Sequence, residues 1–436
     1  MFKMTSNKIV SKLNLHIIGQ NNAKKKIAIA LRNRWRIKNL EKKLKKKIKT
    51  NNILMVGPTG VGKTEIFRIL SKITNSPFIK VEATRFTEIG YVGKEVDSII
   101  HELVENSYKI VKKKNIKKNI KKIKKLSAKR IINILIKNII IKKTFKQIIY
   151  LYKILIKKLY NNEINNIKIK TKLFLKKTNN EILINNKTNK IVNQIQNIIN
   201  NFNNFKKKIS IKKILFFFEE EEILKIFKNK KINKEIIDNV EQKGIVFIDE
   251  IDKICKISNY SNSEISREGV QRDLLPLIEG CNVLTKYGNI KTENILFIAS
   301  GAFHSSKPSD LMQELQGRLP IYVKLNSLKK KDFEKILIEP KFSLIEQYKR
   351  LILTEGVKIE FTKDSILKLA EIAYIYNKEI KNIGARRLHT ILEILLEDIL
   401  YNIENIKNKI IIIDKKYVKK KFKNFYVKED LNKFIL

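Results

Sequence analysis

The sequence predicts an α/β protein: a doubly wound parallel sheet, an inserted and mostly helical segment, and a small α-rich domain at the C-terminus. Three observations predict it. Short apolar runs alternate with helical patterns in two stretches of the chain, as buried parallel strands and their crossover helices do. The first of these runs leads into a glycine-rich loop followed by a helix. Between the two stretches lies a segment without punctuation: no glycine occurs between Gly93 and Gly244, and no proline between Pro77 and Pro276. A compact α/β domain uses both residues repeatedly at its turns, so such a segment reads as long helices or a low-complexity insertion.

Taken in order, the strand candidates are Asn52–Val56, Pro77–Val81, Gly244–Asp249 and Asn294–Ala299. Each is short, apolar and bounded by turn residues, and helical patterns such as Glu65–Thr74 and Val270–Ile278 fall between them. From about Lys329 the pattern is helical, with strands expected at Val357–Phe361 and Lys409–Ile413. The expected organisation is a discontinuous large domain (1–108 and 240–328), an insertion (109–239) and a small C-terminal domain (329–436).

Composition excludes several classes. Across 436 residues, 92 Lys+Arg stand against 43 Asp+Glu, a formal net charge of +49, with 43% hydrophobic residues. That apolar content supports a sizeable core rather than wholesale disorder. Cys255 and Cys281 are too few for a disulfide framework or a four-cysteine zinc site. No signal-peptide pattern or membrane-length apolar run is present, so a soluble, reduced, cytoplasmic protein is expected. The charge points toward nucleic acid only if it is patterned. Residues 111–210 alone hold 28 Lys+Arg against Glu163 and Glu181, interleaved with Ile and Asn. That joint rise of Lys, Ile and Asn reads as compositional drift in an insertion.

Chemistry concentrates in the flanks. Gly57-Pro58-Thr59-Gly60-Val61-Gly62-Lys63-Thr64 has the spacing GxxxxGK[ST], after a strand and before a helix. Its glycines let backbone N–H groups turn onto phosphate oxygens, and the helix N-terminus adds partial positive charge. Gly60, Val61, Gly62, Lys63, Thr64 and Glu65 are therefore candidate nucleotide contacts, with Lys63 reaching β/γ-phosphates and Thr64 holding Mg²⁺. The strand ending in Asp249-Glu250 supplies the complement: Asp249 toward Mg²⁺, directly or through water, and Glu250 to polarise the attacking water. Asp249 by itself would also suit a helix cap, and Asp252 is divided between site and scaffold. Hydrolysis also needs positive charge on the transition state. Arg318 and Arg386 are in suitable places, but in so basic a chain the residues alone favour solvated surface for both. Tyr91, between Gly90 and Gly93 and next to Val92, reads either as an exposed gripping aromatic or as part of an ordinary turn.

The flanks resemble the AAA+ ATPases of the Clp group, and within it the HslU branch, over roughly 1–110 and 235–436. The blocks that carry the resemblance are His16-Ile17-Ile18-Gly19-Gln20, the phosphate loop, Phe78–Ser98, Gly244–Cys255, Ser266–Gly280, Glu314–Pro320, Asn382–Thr390 and Glu429–Leu436. The resemblance implies an AAA+ P-loop domain with an inserted intermediate (I) domain. It makes Arg318 an arginine finger acting on a neighbouring subunit, Arg386 the sensor-2 arginine, Glu314 an interface residue of the nucleotide site and Ile18 a wall of the adenine pocket. Gly90, Tyr91, Val92 and Gly93 match the substrate-gripping pore loop, and Phe434-Ile435-Leu436 the tail that docks a peptidase. Ser300 is the nearest candidate for the polar sensor after the fourth strand. Two features of the related ClpX type are missing from the sequence: an N-terminal zinc module and its peptidase-binding tripeptide. Between about 111 and 210 the insertion matches the I domain in size and place but not in residues.

The function implied is an ATP- and Mg²⁺-dependent unfoldase and chaperone, a homohexameric ring. It would feed unfolded or tagged proteins to an HslV-type threonine peptidase without being a peptidase itself. No specific nucleic acid and no membrane are expected as partners. The alternatives are an AAA+ nucleic-acid motor or loader, supported by charge, and an ATPase-dead scaffold, opposed by the intact Lys63, Asp249, Glu250, Arg318 and Arg386.

Overall fold

The computed structural model describes residues 4–41, 43–44, 51–87, 94–139, 145–170, 208–227, 230–255, 264–340, 342–380, 382–405 and 410–423. The chain divides into two compact units, residues 1–110 with 234–436, and residues 111–233.

In the first unit, β1 (Ile53–Val56) and β2 (Phe78–Glu82) flank the helix Lys63–Thr74. In the second, β3 (Lys168–Lys170) pairs antiparallel with β4 (Lys208–Ser210). The first unit resumes with β5 (Ile245–Asp249), the hairpin β6 (Asn282–Thr285) and β7 (Gly288–Lys291), then β8 (Leu296–Gly301) and β9 (Ile321–Lys324). A parallel pair, β10 (Lys358–Phe361) and β11 (Ile410–Ile413), lies among the last helices.

The central sheet is parallel, in the order β2-β5-β8-β1-β9. β1 sends its crossover to one side, toward β2, while β8 sends its own past β1 to β9 on the other side. Ligands of open α/β sheets bind at such a reversal, outside the carboxyl ends of the strands. The central strands are buried on both faces, which is why they read as unbroken apolar runs: β8 is buried throughout, and β5 through its first four residues. β9 was not expected from the sequence. It is an edge strand in which Val323 alone is fully buried, so it has no continuous apolar run.

Packing fixes the helix after the glycine loop. Ile66, Phe67, Ile69 and Leu70 repeat at helical spacing and face the core, where Phe67 meets Phe247 with ring centroids 5.7 Å apart. Burial of each such side chain is worth about 1.5–3 kcal/mol. The same core continues into the C-terminal part through Phe333, Leu369, Leu392 and Leu395. There the helices start on side-chain caps: Ser343 accepts from the Glu346 N–H at 3.3 Å, and Thr362 from the Ser365 N–H at 3.2 Å. The hairpin β6–β7, also unexpected, places Tyr287 on Tyr108 with centroids 5.6 Å apart.

The second unit is mostly helical and has its own core, in which Ile131, Ile132, Leu159, Ile211, Ile214 and Phe218 are buried. Arg130 stacks on Phe218 at 4.1 Å and pairs with Glu221 at 2.7 Å and Glu222 at 3.2 Å. Among the described residues no helix is long and apolar enough to cross a membrane.

Candidate nucleotide site

β1 delivers the chain to Gly57 under tight constraint. A Cβ there would lie 2.8 Å from the Leu325 carbonyl oxygen. Gly62 precedes the helix at φ 93°, a left-handed conformation that favours glycine. Lys63 then begins the helix, and its ammonium donates to the Gly57 carbonyl at 2.7 Å. Burial holds the Lys63 pKa below its ordinary value; Asp249, Asp252 and Glu250 pull it up, and Arg386 pushes it down. A cationic side chain folded back on its own loop, partly desolvated, is suited to an anion in the loop.

The carboxylates come from the end of β5. The Thr64 hydroxyl donates to Asp249 Oδ2 at 3.4 Å, and the Ser300 hydroxyl, from the neighbouring β8, donates to Asp249 Oδ1 at 3.2 Å. Lys80, on β2, forms an ion pair with Asp249 at 2.9 Å. Glu250 follows at φ 57° and ψ 37°, a left-handed backbone for a non-glycine residue, and its own N–H donates to Asp249 Oδ1 at 3.2 Å. Asp252 is part of the scaffold: its carboxylate accepts from the Ala302 and Phe303 N–H groups, both at 3.3 Å, and so ties the loop after β8 to the site.

The C-terminal part closes the site. Gly60 and Gly384 both have positive φ, and their backbones meet: a Cβ on Gly60 would lie 2.0 Å from the Ile383 carbonyl oxygen, and one on Gly384 2.5 Å from the Gly60 carbonyl carbon. The Ala385 N–H donates to the Gly60 carbonyl at 2.9 Å, and the Thr59 hydroxyl to the Asn382 carbonyl at 3.1 Å. Asn377 braces this turn, donating to the Gly384 carbonyl at 3.0 Å and accepting from the Ile383 N–H at 3.0 Å. Arg386 is the first residue of the next helix.

These elements enclose a cavity of about 940 Å³. Its walls include Gly60, Gly62, Lys63, Thr64, Glu65, Asp249, Glu250 and Arg386 from the sequence-based set. Val61, 4% exposed, packs into the core instead of lining it, and Ile18, 9% exposed, is also absent from the walls. Arg318 and Glu314 are elsewhere, on and just after the short helix Gln313–Gly317; Arg318 pairs with Glu279 at 2.8 Å and is 41% exposed. Asn52 holds that turn, donating to the Arg318 carbonyl at 3.2 Å and accepting from the Phe297 N–H at 3.0 Å. Gly90, Tyr91, Val92, Gly93, Phe434, Ile435 and Leu436 lie outside the described residues.

Several site residues carry no sequence signal of their own. Lys80 is one lysine among many, and only strand pairing brings it to Asp249. His304 and His389 line the cavity; His389 shares a helix face with Arg386, three residues earlier. Among the described residues no group of three or more His, Cys, Asp or Glu could hold a metal ion alone. The Thr64 and Asp249 oxygens suit a hard divalent cation, but one whose remaining ligands are phosphate oxygens and water.

Comparison with known families agrees with this geometry. Residues 53–148 match the model described as ATPase family associated with various cellular activities (AAA). Residues 166–342 match the model described as AAA domain (Cdc48 subfamily).

Proposed function

Taking the chain as an AAA+ ATPase, the coarse identity that its fold and two AAA-family matches support, we propose that it is the ATP-driven unfoldase of a two-component protease, of the HslU type. The observation that carries this reading is a division of labour among its arginines. Arg386 lines the cavity with Lys63, whereas Arg318 stands outside it on a partly exposed turn. An arginine that serves hydrolysis from outside its own site must reach a neighbour's, and such head-to-tail contacts close into rings. We take the ring to be a homohexamer.

Bound ATP with Mg²⁺ supplies the transferable phosphoryl group and the charge that holds it in line. Thr64 and Asp249 would hold the cation, while the loop N–H groups and Lys63 cradle the phosphates. Glu250 orients the attacking water and takes up its proton at a carboxylate oxygen. Arg386 holds phosphate from the C-terminal side, and Arg318 of the next subunit offsets charge developing in the transition state. The direct Gly60–Ala385 contact gives the cycle a mechanical output, because rearrangement of the loop moves the small domain with it. Tyr91 would carry that motion to a polypeptide, and the tail Phe434-Ile435-Leu436 would engage an HslV-type threonine peptidase.

The test is reconstitution. With such a peptidase, the chain should degrade a folded, tagged protein only when ATP is supplied. Tyr91→Ala should keep basal ATPase largely unchanged while degradation stops. ATPase stimulated by DNA, without any degradation, would favour a nucleic-acid motor instead.

A further inference from the structure

The charge of the inserted unit is sorted by the helix that carries it. Within the helix Ser98–Ile139, Lys117, Lys118, Lys121, Lys122, Lys124 and Lys125 are all exposed. At 3.6 residues per turn these six positions fall within about 160° of the circumference and about 12 Å of helix axis. Ile123, 3% exposed, is diametrically opposite, with Ile116 to one side of it and Asn119 to the other. Compositional drift explains the lysines but not an uninterrupted lysine face.

Among the described residues nothing neutralises this face. Among the described residues none of the six makes an ion pair, and the sequence holds no acid between Glu105 and Glu163. Lys117–Lys121, Lys118–Lys122 and Lys121–Lys125 are like-charged pairs at i,i+4, each unfavourable to the helix. Their separations are within the Debye length of about 8 Å at physiological salt, so the charges act together. A bound polyanion would relieve repulsion that the free protein carries.

We propose that this lysine face is a docking surface for an acidic, extended polypeptide segment. Two observations favour polypeptide over nucleic acid. No aromatic residue occurs between Tyr108 and Phe145, so there is no platform for stacking bases. The nearest arginine, Arg130, is already held by Glu221, Glu222 and Phe218, so no free guanidinium fork meets phosphate. Spacing fits as well: Lys117, Lys121 and Lys125 advance by about 6 Å. Acids at alternate positions of an extended chain advance by about 6.6 Å on one side. The choice of ligand rests on the unfoldase reading, but its test uses neither ATP nor peptidase, so the two can fail separately.

The experiment is fluorescence anisotropy with a dye-labelled 20-residue alternating Glu-Ser peptide and the full-length chain. The variant replaces Lys117, Lys121, Lys122 and Lys125 by Gln, which keeps helix propensity. Its control replaces Lys415, Lys416, Lys419 and Lys420, exposed on the helix Lys415–Phe422, and so removes the same charge elsewhere. The face variant should bind the peptide about tenfold or more weakly with a flatter salt dependence. The control should bind like wild type, and Arg at the same four face positions should preserve binding. Equal affinities in all variants, or equal losses in face variant and control, would overturn the proposal. So would a DNA duplex of matched charge that displaces the labelled peptide at lower concentration than unlabelled peptide does.

Discussion

The Lys80 ammonium lies 2.9 Å from the Asp249 carboxylate, on the oxygen that also accepts the Thr64 hydroxyl. Lysine and a bound Mg²⁺ would therefore compete for one anionic group. The pair is partly exposed, so its strength is about 1 kcal/mol or less. Lys80→Met should lower the Mg²⁺ concentration needed for half-maximal binding of a fluorescent ATP analogue by a few-fold, with nucleotide held constant. An unchanged or raised Mg²⁺ requirement would remove Lys80 from this role.

Glu250 combines an exposed carboxylate with a left-handed backbone. That conformation costs a non-glycine residue roughly 1–2 kcal/mol, and such strain persists where function holds it. Glu250→Gln should bind nucleotide normally and hydrolyse it about a hundredfold more slowly. Glu250→Gly should be as inactive yet up to about 1 kcal/mol more stable to denaturant, once glycine's greater unfolded-state entropy is subtracted. Near-normal turnover in the Gln variant would refute the catalytic role.

Gly384 tests whether the C-terminal helices are coupled to the phosphate loop. A methyl group there meets the Gly60 backbone at 2.5 Å and forces alanine to φ 62°. Gly384→Ala should weaken nucleotide binding by about tenfold or more, from strain of roughly 1–3 kcal/mol at the contact. Gly356→Ala, also at positive φ but with nothing within 4 Å of its Cβ, is the matched control. It should lose some stability and keep its nucleotide affinity. Equal affinity losses in both would show that backbone strain, not the loop contact, is being measured.

What the sequence disclosed follows from how each feature is encoded. The phosphate loop and the Asp249-Glu250 strand end are contiguous motifs, so both were legible. β1, β5 and β8 were legible because double burial writes an apolar run. β2, an edge strand with alternating exposure, was legible because Phe78, Ile79 and Val81 still cluster after Pro77, whereas β9 buries only Val323 fully. Lys80 and Asn377 act across a strand pair or a turn and carry no sequence signal of their own, whereas Ser300 was named from the resemblance and reaches Asp249 from β8. Ile18 was expected on a cavity wall but is packed into the protein. A motif names the position without saying which way its side chain faces.

Arg318 offers the sharpest test of assembly. Its guanidinium pairs with Glu279 in a partly exposed setting, so truncation should cost well under about 1 kcal/mol of stability. Because Arg318 does not line its own chain's cavity, Arg318→Ala should bind nucleotide with wild-type affinity. Its ATPase should nevertheless fall on the order of a hundredfold or more, as expected when a transition-state cation is removed. Mixing separates action within a chain from action between chains. Glu250→Gln lacks the water-orienting group in its own site, and Arg318→Ala lacks the finger it would offer a neighbour. Where a Glu250→Gln subunit presents its Arg318 to an Arg318→Ala subunit, one complete site forms. With the proposed head-to-tail contact, mixed assemblies should therefore recover part of the ATPase that neither variant has alone. Activity no greater than the sum of the separate variants would show that Arg318 serves its own subunit or none.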